Sequence, residues 1–140
     1  MPYLSQAAHN HNFLDCLNET FPDDYYDWKI TVVFYIAIHV LKAFAKSKAI
    51  EVGDTHDDID RSLNPSRGTP VYQLKKHVWN AYKNMYRYSR TSRYNGIDTS
   101  ELFKVARRKD YEECLKYLEQ FCAYMKKHGG DYRPETEAAA

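Results

Sequence analysis

The stretch YRYSRTSRY, residues 86–94, interleaves three arginines with three tyrosines and holds no acid. Guanidinium groups grip phosphate oxygens two at a time, and tyrosine rings stack on unpaired bases. Residues of these types on one helix predict a surface for single-stranded RNA or a nucleotide. With 3.6 residues per turn, Tyr82, Tyr86, Ser89 and Arg93 share one face, and Arg87, Arg90 and Tyr94 share the adjoining one. Arg87, Arg90, Arg93, Tyr86, Tyr94 and Ser89 are therefore the candidate phosphate- and base-binding residues. A competing reading turns the tyrosines inward. It leaves the arginines as a solvated face, or pairs them with Asp57, Asp58 and Asp60.

RNA can also be cut without a metal, given a base or acid near the 2′-hydroxyl and a cation to carry the charge on the phosphorane. His39, His56 and Arg61 supply those types and are the catalytic candidates, with Arg90 and Arg93 as further cations. His39 lies late in an apolar helix and His56 follows a short loop, so the two are expected to approach. Each also has a plainer reading: His39 as a hydrogen-bonded core residue, His56 as a capping or solvent-facing one. Arg61, four residues after Asp57, reads as half of an intrahelical ion pair. No metal site is expected, because His9 and His11 at i, i+2 diverge on a helix and no Cys–x–x–Cys or His–x–x–x–His pair occurs. No glycine-rich phosphate loop is present, and no cofactor is implied.

The elements that must position these groups read as helices. Of 140 residues, 44% are hydrophobic and 15% aromatic, which suits one folded domain rather than a disordered chain. The net charge of +1 conceals segregation: residues 1–60 carry ten acids against four bases, and residues 61–97 carry eight bases and no acid. Helices are expected at about 5–17, with Ser5 as N-cap; at 25–46, apolar nearly all round and hence central; at 56–63, capped by Thr55; at 71–94; and from Asp98 towards Lys127, with a break near 107–110. The reading is an all-α antiparallel bundle of four to five helices. It makes one domain of residues 1–130 and a disordered tail of 131–140. The most apolar run, residues 30–41, is shorter than the roughly twenty residues a membrane span needs, so it is expected inside the bundle. Three cysteines without paired spacing, and no visible signal peptide, point to a cytoplasmic protein with no membrane contact.

Three segments in order, YYDWKITVVFYIAIHVLKAF (25–44), THDDIDRSL (55–63) and YKNMYRYSRTSRY (82–94), resemble the HEPN domains, the higher eukaryote and prokaryote nucleotide-binding proteins, and most closely a small prokaryotic branch. The resemblance spans about residues 5–125. It implies a HEPN-like bundle that is often dimeric. It also implies either a metal-independent endoribonuclease of a defence or toxin–antitoxin system, or a non-catalytic partner of a nucleotidyltransferase. Active members carry an arginine, four to six residues, and then a histidine. None of the six histidines here has an arginine at that distance before it. The leading expectation is thus a homodimer binding RNA or a nucleotide through the Arg/Tyr helix. The alternatives are a ribonuclease using displaced residues, and an interaction and dimerisation module whose basic face docks an acidic protein. Tyr25, Tyr26 and Trp79 are the aromatics expected to be left over for an interface.

Overall fold

In the computed structural model, residues 2–68, 70, 72–94, 101–128 and 132 are described, with the backbone alone at 93, 94 and 101–105. Every regular element among them is a helix: α1 (Pro2–Thr20), α2 (Tyr26–Ser47), α3 (His56–Leu63), α4 (Lys76–Tyr94) and α5 (Glu101–Lys127). The helix α2 is the hub, packed by α1, α4 and α5, while α4 and α5 also pack on each other. The pairs Tyr88–Tyr117 and His77–Tyr124 run in opposite chain order, so α4 and α5 are antiparallel.

The sequence of α2 explains its place. Ile30, Val33, Ile36, Ala37, Val40, Leu41 and Phe44 are all fully buried, and they cover more of the circumference than one amphipathic stripe could. By length and composition alone this helix could cross a membrane, but two thirds of its most apolar window is buried inside the bundle. Leu74, Val78, Tyr82 and Met85 from α3–α4 and Cys114, Leu118, Phe121 and Met125 from α5 complete the core. Burial pushes the Cys114 thiol up to about 12, so it acts as a small apolar side chain.

The short helix α3 forms as its sequence predicts. Thr55 Oγ1 accepts the Asp58 N–H at 3.1 Å, and the Asp58 carboxylate accepts the Thr55 N–H at 3.4 Å, closing a capping box. Other boundaries differ from expectation. Ser5 lies inside α1 rather than capping it, because the helix already starts at Pro2. Residues 72–75 precede α4 instead of belonging to it, since the Tyr72 and Leu74 N–H groups donate to Ser62 and Leu63 carbonyls at the end of α3. The helix α5 runs unbroken through 107–110, where Arg107 and Asp110 pair at 3.3 Å along its surface. Asp98, expected to cap α5, and most of the expected tail lie outside the described residues. Tyr132 is described, and its hydroxyl meets His11 Nδ1 at 2.8 Å, so that part of the tail rests on α1.

Candidate nucleic-acid interface

The helix α4 separates its residues by face. Val78, Tyr82, Met85, Ser89 and Ser92 are buried, while Lys76, Asn80, Lys83, Arg87 and Arg90 are exposed. The exposed set steps by four, three, four and three residues, so it forms one ridge about 21 Å long. Four of its five members are cations, and no acid occurs anywhere on α4.

The expected pairing of these cations with the acids of α3 does not form. Asp58 is taken by Arg61 and Asp60 by Arg67. Arg61 thus pairs with the residue three before it, not with Asp57. Burial pushes the Asp60 carboxyl up, but hydrogen bonds from Arg67 Nε (2.6 Å) and Asn64 (2.9 Å) outweigh it and hold the group below the usual carboxylate range. Among the described residues, Lys76, Lys83, Arg87 and Arg90 form no ion pair.

The tyrosines of the opening stretch are largely engaged. Tyr82 is fully buried; Tyr88 lies along Tyr117, ring centres 6.5 Å apart. The Tyr86 ring lies flat on His56, centroids 3.7 Å apart at 4°, and its other neighbour is Phe34 at 5.6 Å. Its ring therefore supports His56 instead of waiting for a base. Ser89, expected on the binding face, is fully buried, and among the described residues its hydroxyl has no hydrogen-bond partner. The helix turns the 82–89 line towards the core and the 83–87–90 line outward. The side chains of Arg93 and Tyr94 lie outside the described residues.

His56 sits at the flank of this ridge. Arg90 Nη1 donates to Tyr86 Oη at 3.4 Å, beneath the histidine stack. Burial is the main cause that holds the His56 imidazole below its ordinary value, and Lys83 and Arg90 add to it against Asp60 and Asp57. His56 Nδ1 lies 3.3 Å from the Tyr82 hydroxyl, which has no other acceptor among the described residues. A buried hydroxyl must place its proton somewhere, so Tyr82 donates to Nδ1 and the neutral ring carries its own proton on Nε2. That tautomer offers a donor suited to a phosphate oxygen, not a lone pair suited to a general base.

His39 has the opposite tautomer, since its Nδ1 donates to the Tyr35 carbonyl at 2.7 Å and leaves Nε2 as the acceptor. Its ring neighbours Tyr3 of α1, whereas Phe34 marks the side of α2 that meets α4. Five residues of helix separate the two by roughly 140° of rotation. The structure thus gives His39 and His56 different neighbours rather than a shared site. A hollow of about 610 Å³, lined by Tyr3, Lys42, Lys46 and Asp54 among others, lies at the C-terminal end of α2 and has no ridge residue in its lining. Among the described residues no three His, Cys, Asp or Glu side chains gather as a metal site would require.

The model of the HEPN domain family matches residues 6–128. The chain belongs to the HEPN family. Neither a curated protein nor a solved structure shows significant similarity to it. Membership is consistent with a function concerned with RNA or nucleotides, and the all-helical bundle is the family's fold. The sequence pattern puts Lys76 and Lys83 off the buried stripe, but they and Asn80 were not among the candidate binding residues. Their signal was the i, i+4, i+7 spacing inside the acid-free segment, and the tyrosines between them drew attention to the neighbouring face.

Proposed function

We propose that this HEPN chain binds single-stranded RNA by its phosphates along the α4 ridge, with Lys76, Lys83, Arg87 and Arg90 as the cations and His56 Nε2–H as a flanking donor. The observation that carries the reading is the absence of acidic partners for these cations among the described residues, while both arginines near α3 are paired. Like charges at i, i+4 cost an isolated helix about 0.2–0.5 kcal/mol per pair. A run of them left uncompensated in the free protein is one that a polyanion would relieve. Recognition by phosphates rather than by stacked bases follows from the engaged tyrosines, and predicts weak sequence preference.

The ribonuclease alternative has less support. The base-competent histidine, His39, stands by α1, and the histidine beside the cations, His56, holds its proton on the wrong nitrogen for a base. We accordingly favour a binding protein acting in the cytoplasm as a homodimer. The test is fluorescence anisotropy with a labelled single-stranded RNA. Lys83→Ala/Arg87→Ala/Arg90→Ala should weaken binding at least about tenfold without altering the helical spectrum. Equal binding by the variant would refute the ridge. Cleavage of the RNA by the wild type, lost in His39→Ala, would favour the enzyme instead.

A further inference from the structure

The turn between α1 and α2 carries a second surface, opposite in charge to the ridge and unused by RNA binding. Phe21, Tyr25 and Trp28 are 40%, 45% and 57% exposed, three large apolar side chains within eight residues. Phe21 and Tyr25 pack edge to face, their centroids 4.7 Å apart at 72°.

Backbone and buried groups hold this arrangement fixed. Tyr25 adopts φ 59°, ψ 35°, the left-handed region that residues with a Cβ rarely occupy. Its N–H donates to Asp24 Oδ1 at 2.8 Å, and its carbonyl accepts the Lys29 N–H at 3.0 Å. The Lys29 side chain is buried, donates to the Phe21 carbonyl and lies 4.7 Å over the Tyr26 ring. A turn so constrained presents its rings preorganised, which lowers the entropy cost of docking.

Glu19, Asp23, Asp24 and Asp27 are interspersed with the rings along the chain, and residues 19–28 contain no base. Among the described residues none of the four carboxylates forms an ion pair, although the buried Lys29 ammonium lies close enough to feel Asp23 and Asp24. Arg108 of α5, which lies close enough to influence Tyr26, is already opposed to Glu112 at 4.0 Å.

We propose that this turn docks an arginine-containing basic segment of another protein. Guanidinium planes would stack on Trp28 and Tyr25 and pair with Asp23, Asp24 and Asp27. Arginine suits the site better than lysine because its planar, weakly hydrated head can lie on a ring while its edge meets a carboxylate. RNA is repelled by the same acids. A second copy meeting this patch with its own patch would set four carboxylates against four.

A labelled octapeptide of alternating arginine and serine is the probe. At moderate salt it should bind the full chain and quench or shift Trp28 fluorescence. Affinity should fall about threefold or more in Trp28→Ala, in Asp23→Asn/Asp27→Asn, and when lysine replaces arginine in the peptide. Trp28 is exposed, so its variant should keep its fold, and RNA binding by α4 should be unchanged in it. Three results would overturn the proposal: no binding by the wild type; equal binding by Trp28→Ala; or concentration-dependent self-association that needs Trp28 and is blocked by the peptide, which would assign the turn to the α4 ridge of a second copy.

Discussion

His56 decides most at the scale of single residues, because its protonation is linked both to folding and to RNA. Its imidazole is held below the ordinary value of about 6.5, chiefly by burial, so the unfolded chain takes up a proton at higher pH than the folded one. Its contribution to stability is therefore complete above pH 6.5 or so. That contribution declines as pH falls towards the folded value and levels off below it. Thermal melts should show the melting temperature dropping through that window, and His56→Phe, which keeps the stack on Tyr86, should lose that component of the drop. RNA should respond with the opposite sign. A phosphate beside Nε2 favours the charged ring, so affinity should rise on acidification in the wild type and less so in His56→Phe. A pH-independent affinity ratio between the two proteins would separate His56 from the ridge. Arg61 was legible only in part. An intrahelical pair was expected from spacing, but its partner, Asp58, is chosen by rotamer reach and by the capping box, which sequence spacing does not specify.

At the scale of elements, the loop and cap before α3 fix where His56 stands. Gly53 has φ +79°, and a Cβ there would lie 2.6 Å from Asp58 Cβ, so Gly53→Ala should cost about 1–3 kcal/mol. Thr55→Ala should cost about 1 kcal/mol through loss of the cap, a fall of about 3 °C in melting temperature. Calorimetry would check both. The bounds of α3 were readable because Thr55 and Asp58 carry their own local signal. The inward face of α4 was readable in part: Val78, Tyr82 and Met85 recur at helical spacing and are buried. Tyr86 and Ser89 could lie on either side of the core boundary, since tyrosine is amphipathic and serine small. Which line of α4 turns inward is set by Phe34 of α2 and Tyr117 of α5, residues remote in sequence. The start of α4 was misplaced for a related reason. The backbone of 72–75 is held by the end of α3, a tertiary tie that helix propensity does not contain.

At the scale of the whole molecule, the aromatics expected to drive assembly sort differently in the structure. Tyr26 and Trp79 are core residues, and Tyr25 remains exposed on the acidic turn. Among the described residues, Phe13 of α1, Tyr35 of α2 and Leu115 of α5 are the exposed large apolar side chains outside that turn, and they are candidates for a homodimer interface. Light scattering at tens of micromolar should give a dimer for the wild type. Tyr35→Lys should shift it towards monomer; an unchanged mass would move the interface elsewhere. The central claim concerns charge, and salt tests it most directly. Affinity for a single-stranded RNA should be measured across a range of salt concentration for the wild type and for Arg87→Ala/Arg90→Ala. Four phosphate contacts on a single strand predict a log–log slope of about −3, and losing two contacts should flatten it by about 1.4. A wild-type slope near zero, or the same slope in both proteins, would contradict phosphate binding by the α4 ridge.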